Sequence, residues 1–200
     1  MGVTYSGGKN TMSEIFGHFT KQGDAPAYLL INFLPNMLSI QQRWRNNGLS
    51  ADFLADYWTS FFPGDDAASQ HRQAEIRDAV SYIANELLEN AMKFSYDMSK
   101  YPVSIGLYLF ADEVRFYVTN SIESQCCGRL QNFIRELLSD DPDEMYLRQL
   151  ERNAAEDRSG HLGFLTMLSD YETQLAWKFD PLLAHPEIVT VTTMVRLPTE

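Results

Sequence analysis

The sequence has few cysteines, few basic residues and no long apolar run, and each shortage narrows the functions open to it. Only two cysteines occur in 200 residues, Cys126 and Cys127, and neighbouring cysteines rarely satisfy disulfide geometry. The chain therefore has no disulfide framework and no CxxC zinc pair, and a reducing cytosol suits it best. Two ordinary thiols near a helix start are expected, with a redox role as the alternative.

Basic residues are also scarce, with 16 Lys and Arg against 27 Asp and Glu and a formal net charge of −11. Without a basic stripe the chain is unsuited to nucleic acid, and its acidic surface repels anionic membranes. The apolar run at 28–34 is too short to span a bilayer, and residues 1–10 do not resemble a secretory leader. These features predict a cytoplasmic protein that binds neither nucleic acid nor membrane.

Hydrophobic periodicity predicts an α+β fold. The predicted strands cover residues 27–34, 103–110, 114–120, 174–180 and 188–197. The predicted helices cover residues 37–47, 53–62, 73–95, 130–138, 145–155 and 164–169, and Gly48 is expected to end the first of them. This order favours a two-layer sandwich, with helices packed on one face of a mixed, mostly antiparallel sheet. We expect residues 1–24 to form an N-terminal extension and residues 25–200 a single domain.

The longest predicted helix carries a polar set, Glu86, Asn90 and Lys93, at positions i, i+4 and i+7. This spacing puts the three side chains on one helix face, roughly 90° from the apolar stripe at roughly 100° per residue. A carboxylate, an amide oxygen and an ammonium at the border of the buried face suit Mg²⁺ and a nucleotide. The alternative is a solvated polar flank, although Asn90 is a poor helix former that has no cap role in mid-helix.

The segment that carries this set, ELLENAMKFS at residues 86–95, resembles the N-box of the GHKL ATPases. Histidine-kinase catalytic domains and anti-sigma-factor kinases share that fold, a two-layer sandwich of the Bergerat type. In the family the asparagine holds Mg²⁺ on the triphosphate, the glutamate acts as the base and the lysine approaches the phosphates. The resemblance thus implies ATP and Mg²⁺ as cofactors, Asn90 as the metal ligand, Glu86 as the catalytic base and Lys93 at the phosphates.

Asn120 follows the N-box where the family usually has a strand ending in DxGxG, whose aspartate reads the adenine amino group. Here an asparagine stands in that place and both glycines are missing. The SiaB-type Ser/Thr kinases of bacterial partner-switching modules are similar in having an asparagine after this strand. The resemblance implies that Asn120 contacts the nucleotide, and the alternative is a turn residue at the end of a hairpin.

Residues 159–165, SGHLGFL, resemble the second glycine box of the family, whose usual form is GxGLGL. Glycines before a helix let backbone N–H groups approach phosphate oxygens. The resemblance places five residues at the nucleotide: Gly160, His161, Leu162, Gly163 and, in the closing strand, Thr193. A plain turn into a helix explains the first four equally well, and β-branched residues are normal in strands.

Two functions follow from the resemblance. The first is a Ser/Thr protein kinase that phosphorylates a small STAS-type antagonist protein, with a sigma factor or another output protein downstream. The second is a degenerate GHKL-fold binding module that sequesters a regulatory partner without phosphoryl transfer, which the missing DxGxG favours. A domain that binds no nucleotide is a third alternative. The resemblance also implies a homodimer, with residues 15–19 and the helix around Trp44 as candidate contact surfaces.

Overall fold

The computed structural model describes residues 12–34, 40–62, 64, 66–96, 101–156 and 162–199. The strands in this part of the chain are β1 (Glu14–Phe16), β2 (Ala27–Phe33), β3 (Val103–Leu109), β4 (Glu113–Glu123), β5 (Gln174–Pro181) and β6 (Ile188–Pro198). The helices are α1 (Ile40–Thr59), α2 (Ala67–Phe94), α3 (Cys127–Ser139), α4 (Pro142–Glu156) and α5 (Leu162–Asp170). The predicted α+β class is confirmed. None of the described helices combines the length and the hydropathy needed to cross a bilayer.

The strands form one sheet in the order β1-β5-β6-β4-β3-β2, and each neighbouring pair is antiparallel. The hairpin of β3 and β4 follows the predicted hairpin closely, and β4 pairs with β6 along its full length. The strand β1 lies inside the segment predicted as an extension and pairs with β5 at one edge of the sheet. The other edge is β2.

The main core lies between the helices and one face of the sheet. Alternate side chains along the strands point toward the helices, and Ile105, Phe116 and Val195 are completely buried there. The buried face of α2 meets them with Val80, Ile83, Ala84, Leu87 and Leu88. Full burial of each large apolar side chain contributes about 1.5–3 kcal/mol relative to exposure. Trp58 and Trp177 are buried in this core.

The opposite face of the sheet carries a smaller cluster that the N-terminal segment covers. Residues 17–25, here termed the crossing segment, bring Phe19 and Ala25 onto this cluster. The Tyr117 hydroxyl donates to the Thr20 carbonyl at 2.9 Å, and the Met194 sulfur accepts from the Thr20 amide at 3.4 Å. The helices therefore pack on one face, as predicted, and main chain covers part of the other.

The two helices predicted at 37–47 and 53–62 are one continuous helix, so the predicted stop at Gly48 is wrong. Ala51, Leu54 and Trp58 are buried after it, and α1 packs along α2. A glycine in mid-helix destabilises the helix by about 1 kcal/mol. Burial of the apolar side chains after Gly48 contributes more than this, so tertiary packing outweighs the glycine stop signal. The Ser81 hydroxyl also donates to the Asp52 carboxylate at 2.9 Å and ties the two helices together.

Helix α2 begins six residues before its predicted start at residue 73, at Ala67. Asp66 caps it with a reciprocal pair of bonds, because its carboxylate accepts from the Ser69 amide at 2.8 Å and its own amide donates to the Ser69 hydroxyl at 2.9 Å. This capping box satisfies amides that the helix itself leaves unpaired. The cap gives α2 a defined start ahead of its apolar stripe.

Candidate functional site

The centre of the candidate site is the contact between Glu86 of α2 and Gly163 of α5. Glu86 is half-buried, and its side chain packs directly on the glycine. A Cβ atom added to Gly163 would overlap Glu86 Oε2 and would lie 3.0 Å from Glu86 Cδ. The structure therefore joins the glutamate of the N-box-like segment to the second glycine of the predicted glycine box.

The environment of Glu86 disfavours its charge. Burial raises the pKa of Glu86 above its ordinary value of 4.5, and the negative charge of Glu89 acts in the same direction. Tyr82, one turn earlier on α2, hydrogen-bonds to Thr166 of α5, and burial raises the pKa of its hydroxyl. Carboxyl groups with a raised pKa are concentrated at functional sites, although structural networks also produce them.

Asn90 and Lys93 follow Glu86 at intervals of one and about two helical turns. Asn90 is half-buried, and its amide has no hydrogen-bond partner within the described residues. Lys93 is exposed, with its Nζ 5.4 Å from the Phe94 ring centroid, and it forms no ion pair in that same part of the chain. The amide and the ammonium are both available to a ligand.

Asn120 is not the hairpin-end residue that the sequence suggested. It lies inside β4, which continues to Glu123, and it pairs with Val191 of β6. Its side chain is 8% exposed on the helix-facing side of the sheet and has no hydrogen bond in the described ranges. Because the Asn120 amide makes no bond to the rest of the described protein, it can donate to or accept from a bound molecule.

The end of α2 is tied to the strand beside Asn120. The Tyr96 amide, just past the last helical residue, donates to the Ser121 carbonyl at 2.8 Å. The Ser95 hydroxyl donates to the Ala91 carbonyl at 2.6 Å and fixes the final turn. These bonds bring the last turn of α2, which carries Lys93, to the region of β4 that holds Asn120.

The remaining predicted residues fall into three places. Thr193 lies in β6 opposite Val118 and Trp177, half-buried on the same sheet face as Asn120. Leu162 is the first residue of α5 and is half-buried. Gly160 and His161 lie outside the described residues. Of the earlier candidate contact surfaces, Ile15 is exposed on β1, and the Trp44 side chain is also outside the description.

Two open cavities lie along α2. One of about 560 Å³ is at the start of α2, lined by Asp66, Arg72 and Pro198 among others, and one of about 430 Å³ lies between α1 and α2. Within the described ranges there is no group of three or more His, Cys, Asp or Glu side chains that could hold a metal ion. A cation at Asn90 would therefore need further oxygen ligands from a bound molecule.

Comparison with known proteins adds one finding. No family model matches the sequence, and no curated protein matches it. Among solved structures, a chain in the crystal structure of the SiaB–SiaC complex from Pseudomonas aeruginosa has a similar fold, with a TM-score of 0.52 and 13% sequence identity. The match covers 85% of this chain and 89% of that chain. At this identity the likeness shows the fold alone.

Proposed function

We propose that this chain is the regulatory kinase of a bacterial partner-switching system, which binds Mg-ATP and phosphorylates a Ser or Thr of a small STAS-type protein. The observation that carries the proposal is the placement of Glu86. Its carboxyl group has a raised pKa and lies against Gly163, with the unpartnered Asn90 amide one turn further along α2. The nucleotide supplies the phosphoryl group when it is bound.

Each side chain has a role that its chemistry allows. The Asn90 oxygen is a hard ligand suited to Mg²⁺, and the exposed Lys93 ammonium neutralises phosphate charge. Glu86 accepts the proton of the attacking hydroxyl, and a pKa raised toward neutrality makes it a better proton acceptor. The first backbone N–H groups of α5, starting at Leu162, offer donors to an anion.

The fold likeness supports a protein partner. The similar chain belongs to a crystallised complex of SiaB with SiaC, two proteins bound to one another. The N-box resemblance gives the chemistry of the partner, a small STAS-type antagonist whose hydroxyl is the acceptor. A kinase of this type relies on positioning and charge neutralisation rather than covalent catalysis, which suits a site built from one carboxylate, one amide and one ammonium.

Calorimetric titration with Mg-ATP tests the nucleotide site. We expect wild-type protein to bind Mg-ATP and Asn90→Ala to lose the Mg-dependent part of the affinity. Asn85→Ala is the matched control, because Asn85 is also half-buried on α2 but already donates to Glu89 at 2.9 Å. Wild-type protein that binds no Mg-ATP contradicts the nucleotide site, and unchanged Mg-dependent binding by Asn90→Ala removes the metal assignment.

A second function, a binding module without phosphoryl transfer, is favoured by Asn120 in the position of the adenine-reading aspartate. Phosphate transfer to a STAS-type partner separates the two. The kinase proposal expects Glu86→Gln to keep the complex and lose transfer by about 10²–10⁴-fold, the usual contribution of a general base. If the wild-type protein forms the complex but transfers no phosphate at any pH, the kinase proposal is rejected and the binding module remains.

A further inference from the structure

Asn120 places a polar side chain in an otherwise apolar stretch of the helix-facing side of β4. The next residues on the same face of the strand, Val118 and Ile122, are 2% and 4% exposed. Val191, directly opposite on β6, is also buried. A ligand group that reaches this position therefore meets apolar side chains and one amide.

These surroundings suit the base of a nucleotide better than its phosphates. A purine has flat apolar faces and a polar edge, whereas phosphate groups bind best to cations and to backbone N–H donors. Lys93 is exposed, and the first N–H groups of α5 begin at Leu162. The bond from the Tyr96 amide to the Ser121 carbonyl holds the end of α2 beside this part of β4. The proposed site can therefore hold phosphates at the outer donors and the edge of the base at Asn120.

The backbone of Asn120 is fixed, but no bond within the described ranges fixes the orientation of its amide. The pairing of β4 with β6 continues past Asn120 as far as Glu123 and holds the main chain in place. The side chain makes no hydrogen bond to the described residues. An asparagine amide has an acceptor oxygen on one side and two donor hydrogens on the other, and a half-turn about its last torsion exchanges them. Either side of the amide can therefore face a ligand.

An amide that can turn over reads a purine differently from a carboxylate. An ionised carboxylate only accepts hydrogen bonds, so it pairs with the 6-amino group of adenine and repels a 6-oxo group. The Asn120 amide can accept from the amino group or, turned over, donate to the oxo group. A site rejects an analogue strongly when a buried polar group is left unpaired, and here neither purine leaves the amide unpaired.

We propose that Asn120 allows the nucleotide site to bind 6-amino and 6-oxo purine nucleotides with similar affinity. This base preference rests on the proposed Mg-ATP site and adds the class of nucleotide that the site takes. The features that support it are the burial of the amide, its apolar neighbours and its freedom to turn over.

Calorimetric titration with Mg-ATP and with Mg-ITP tests the proposal, because the bases of these nucleotides differ at position 6. We expect the two dissociation constants of the wild-type protein to agree within about 10-fold, since each base makes one hydrogen bond to the amide. At pH 8, where the new carboxyl group should be ionised, Asn120→Asp should shift the ratio toward Mg-ATP by about 5–150-fold, because the 6-oxo group then faces an acceptor.

The matched control is Asn132→Asp, the same substitution at an exposed position of α3, which should leave the ratio unchanged. Asn120→Ala removes both sides of the amide and should weaken both nucleotides by similar factors, which keeps the test available if circular dichroism shows Asn120→Asp unfolded. Wild-type protein that prefers Mg-ATP by more than about 100-fold overturns the base preference and leaves the proposed function standing. A folded Asn120→Asp variant with an unchanged ratio also overturns it. Wild-type protein that binds neither nucleotide contradicts the proposed function itself, and the base preference with it.

Discussion

Replacing Gly163 with alanine, alone and together with Glu86→Ala, tests the contact on which the candidate site depends. Alanine in place of a helical glycine normally stabilises a helix by about 0.5–1 kcal/mol. Gly48 provides the reference, because it lies in mid-helix and an added Cβ would meet no atom within 4 Å. We expect Gly48→Ala to show the normal gain, which for a chain of this size is about 1–4 °C in Tm.

At Gly163 the same methyl group would overlap the Glu86 carboxylate. The side chain of Glu86 must move, since its Cδ and Cγ would lie 3.0 and 3.4 Å from the new atom. Forcing a side chain off its preferred rotamer costs about 0.5–1.5 kcal/mol, which cancels the gain from helix propensity. With Glu86→Ala already present the overlap disappears and the gain returns. The expected coupling energy between the two substitutions is therefore about 0.5–1.5 kcal/mol.

Urea unfolding of the four proteins in this cycle measures the coupling. Distant substitutions add within about 0.3–0.5 kcal/mol, so a larger deviation indicates direct contact. Glu86→Gln serves as a second background, because glutamine keeps the bulk of the side chain and should keep most of the coupling. If Gly163→Ala stabilises the wild-type and Glu86→Ala proteins equally, the carboxylate is not held against the glycine and the proposed geometry fails.

Two further predictions concern protonation and the crossing segment. Because the folded-state pKa of Glu86 is raised, its ionisation destabilises the fold as pH rises above 4.5. The urea midpoint of Glu86→Gln should therefore rise relative to that of the wild-type protein between pH 4 and 7. A difference that shrinks over this range contradicts the conclusion that burial raises the pKa of Glu86. Gly17→Ala should lower the free energy of unfolding by about 1–2 kcal/mol or more, because Gly17 has φ +74° and an added Cβ would lie 2.6 Å from the Leu175 carbonyl oxygen. An unchanged urea midpoint for this variant would show that the segment before β2 does not hold its described path.

The long, regular elements could be predicted from the sequence, and short or context-dependent ones could not. The apolar stripe of α2 and the alternation of apolar and polar residues in β3 and β4 extend over many residues. A single atypical residue therefore does not change the prediction. The strand β1 has three residues, and its pairing of Glu14 with Phe179 joins distant parts of the chain, which no local pattern shows. Gly48 predicts a helix end that the structure does not have, because the stop signal is overruled when the turns that follow it bury Ala51, Leu54 and Trp58.

The part of the candidate site that lies within one helix could be predicted from the sequence, and the part that depends on helix packing could not. The shared face of Glu86, Asn90 and Lys93 follows from helical geometry alone. The contact between Glu86 and Gly163 depends on how α5 docks on α2, which the spacing of residues within one helix does not determine. The polar residues after Asn120 predict a strand end there, but β6 pairs with β4 as far as Glu123 and keeps the strand extended.

The path of the crossing segment has a mechanical consequence. The strands β1 and β2 are consecutive in the chain but occupy opposite edges of the sheet, five strand spacings apart. That width is about 24 Å at about 4.8 Å per strand, while the ten residues from Gly17 to Pro26 reach at most about 33–36 Å. The crossing segment therefore has about 10 Å of length to spare, and its route across the sheet is set by contacts rather than by its length. Phe19, Thr20 and Ala25 supply those contacts on Tyr117 and Met194, so substitutions on that face of the sheet should loosen the link between the two edge strands.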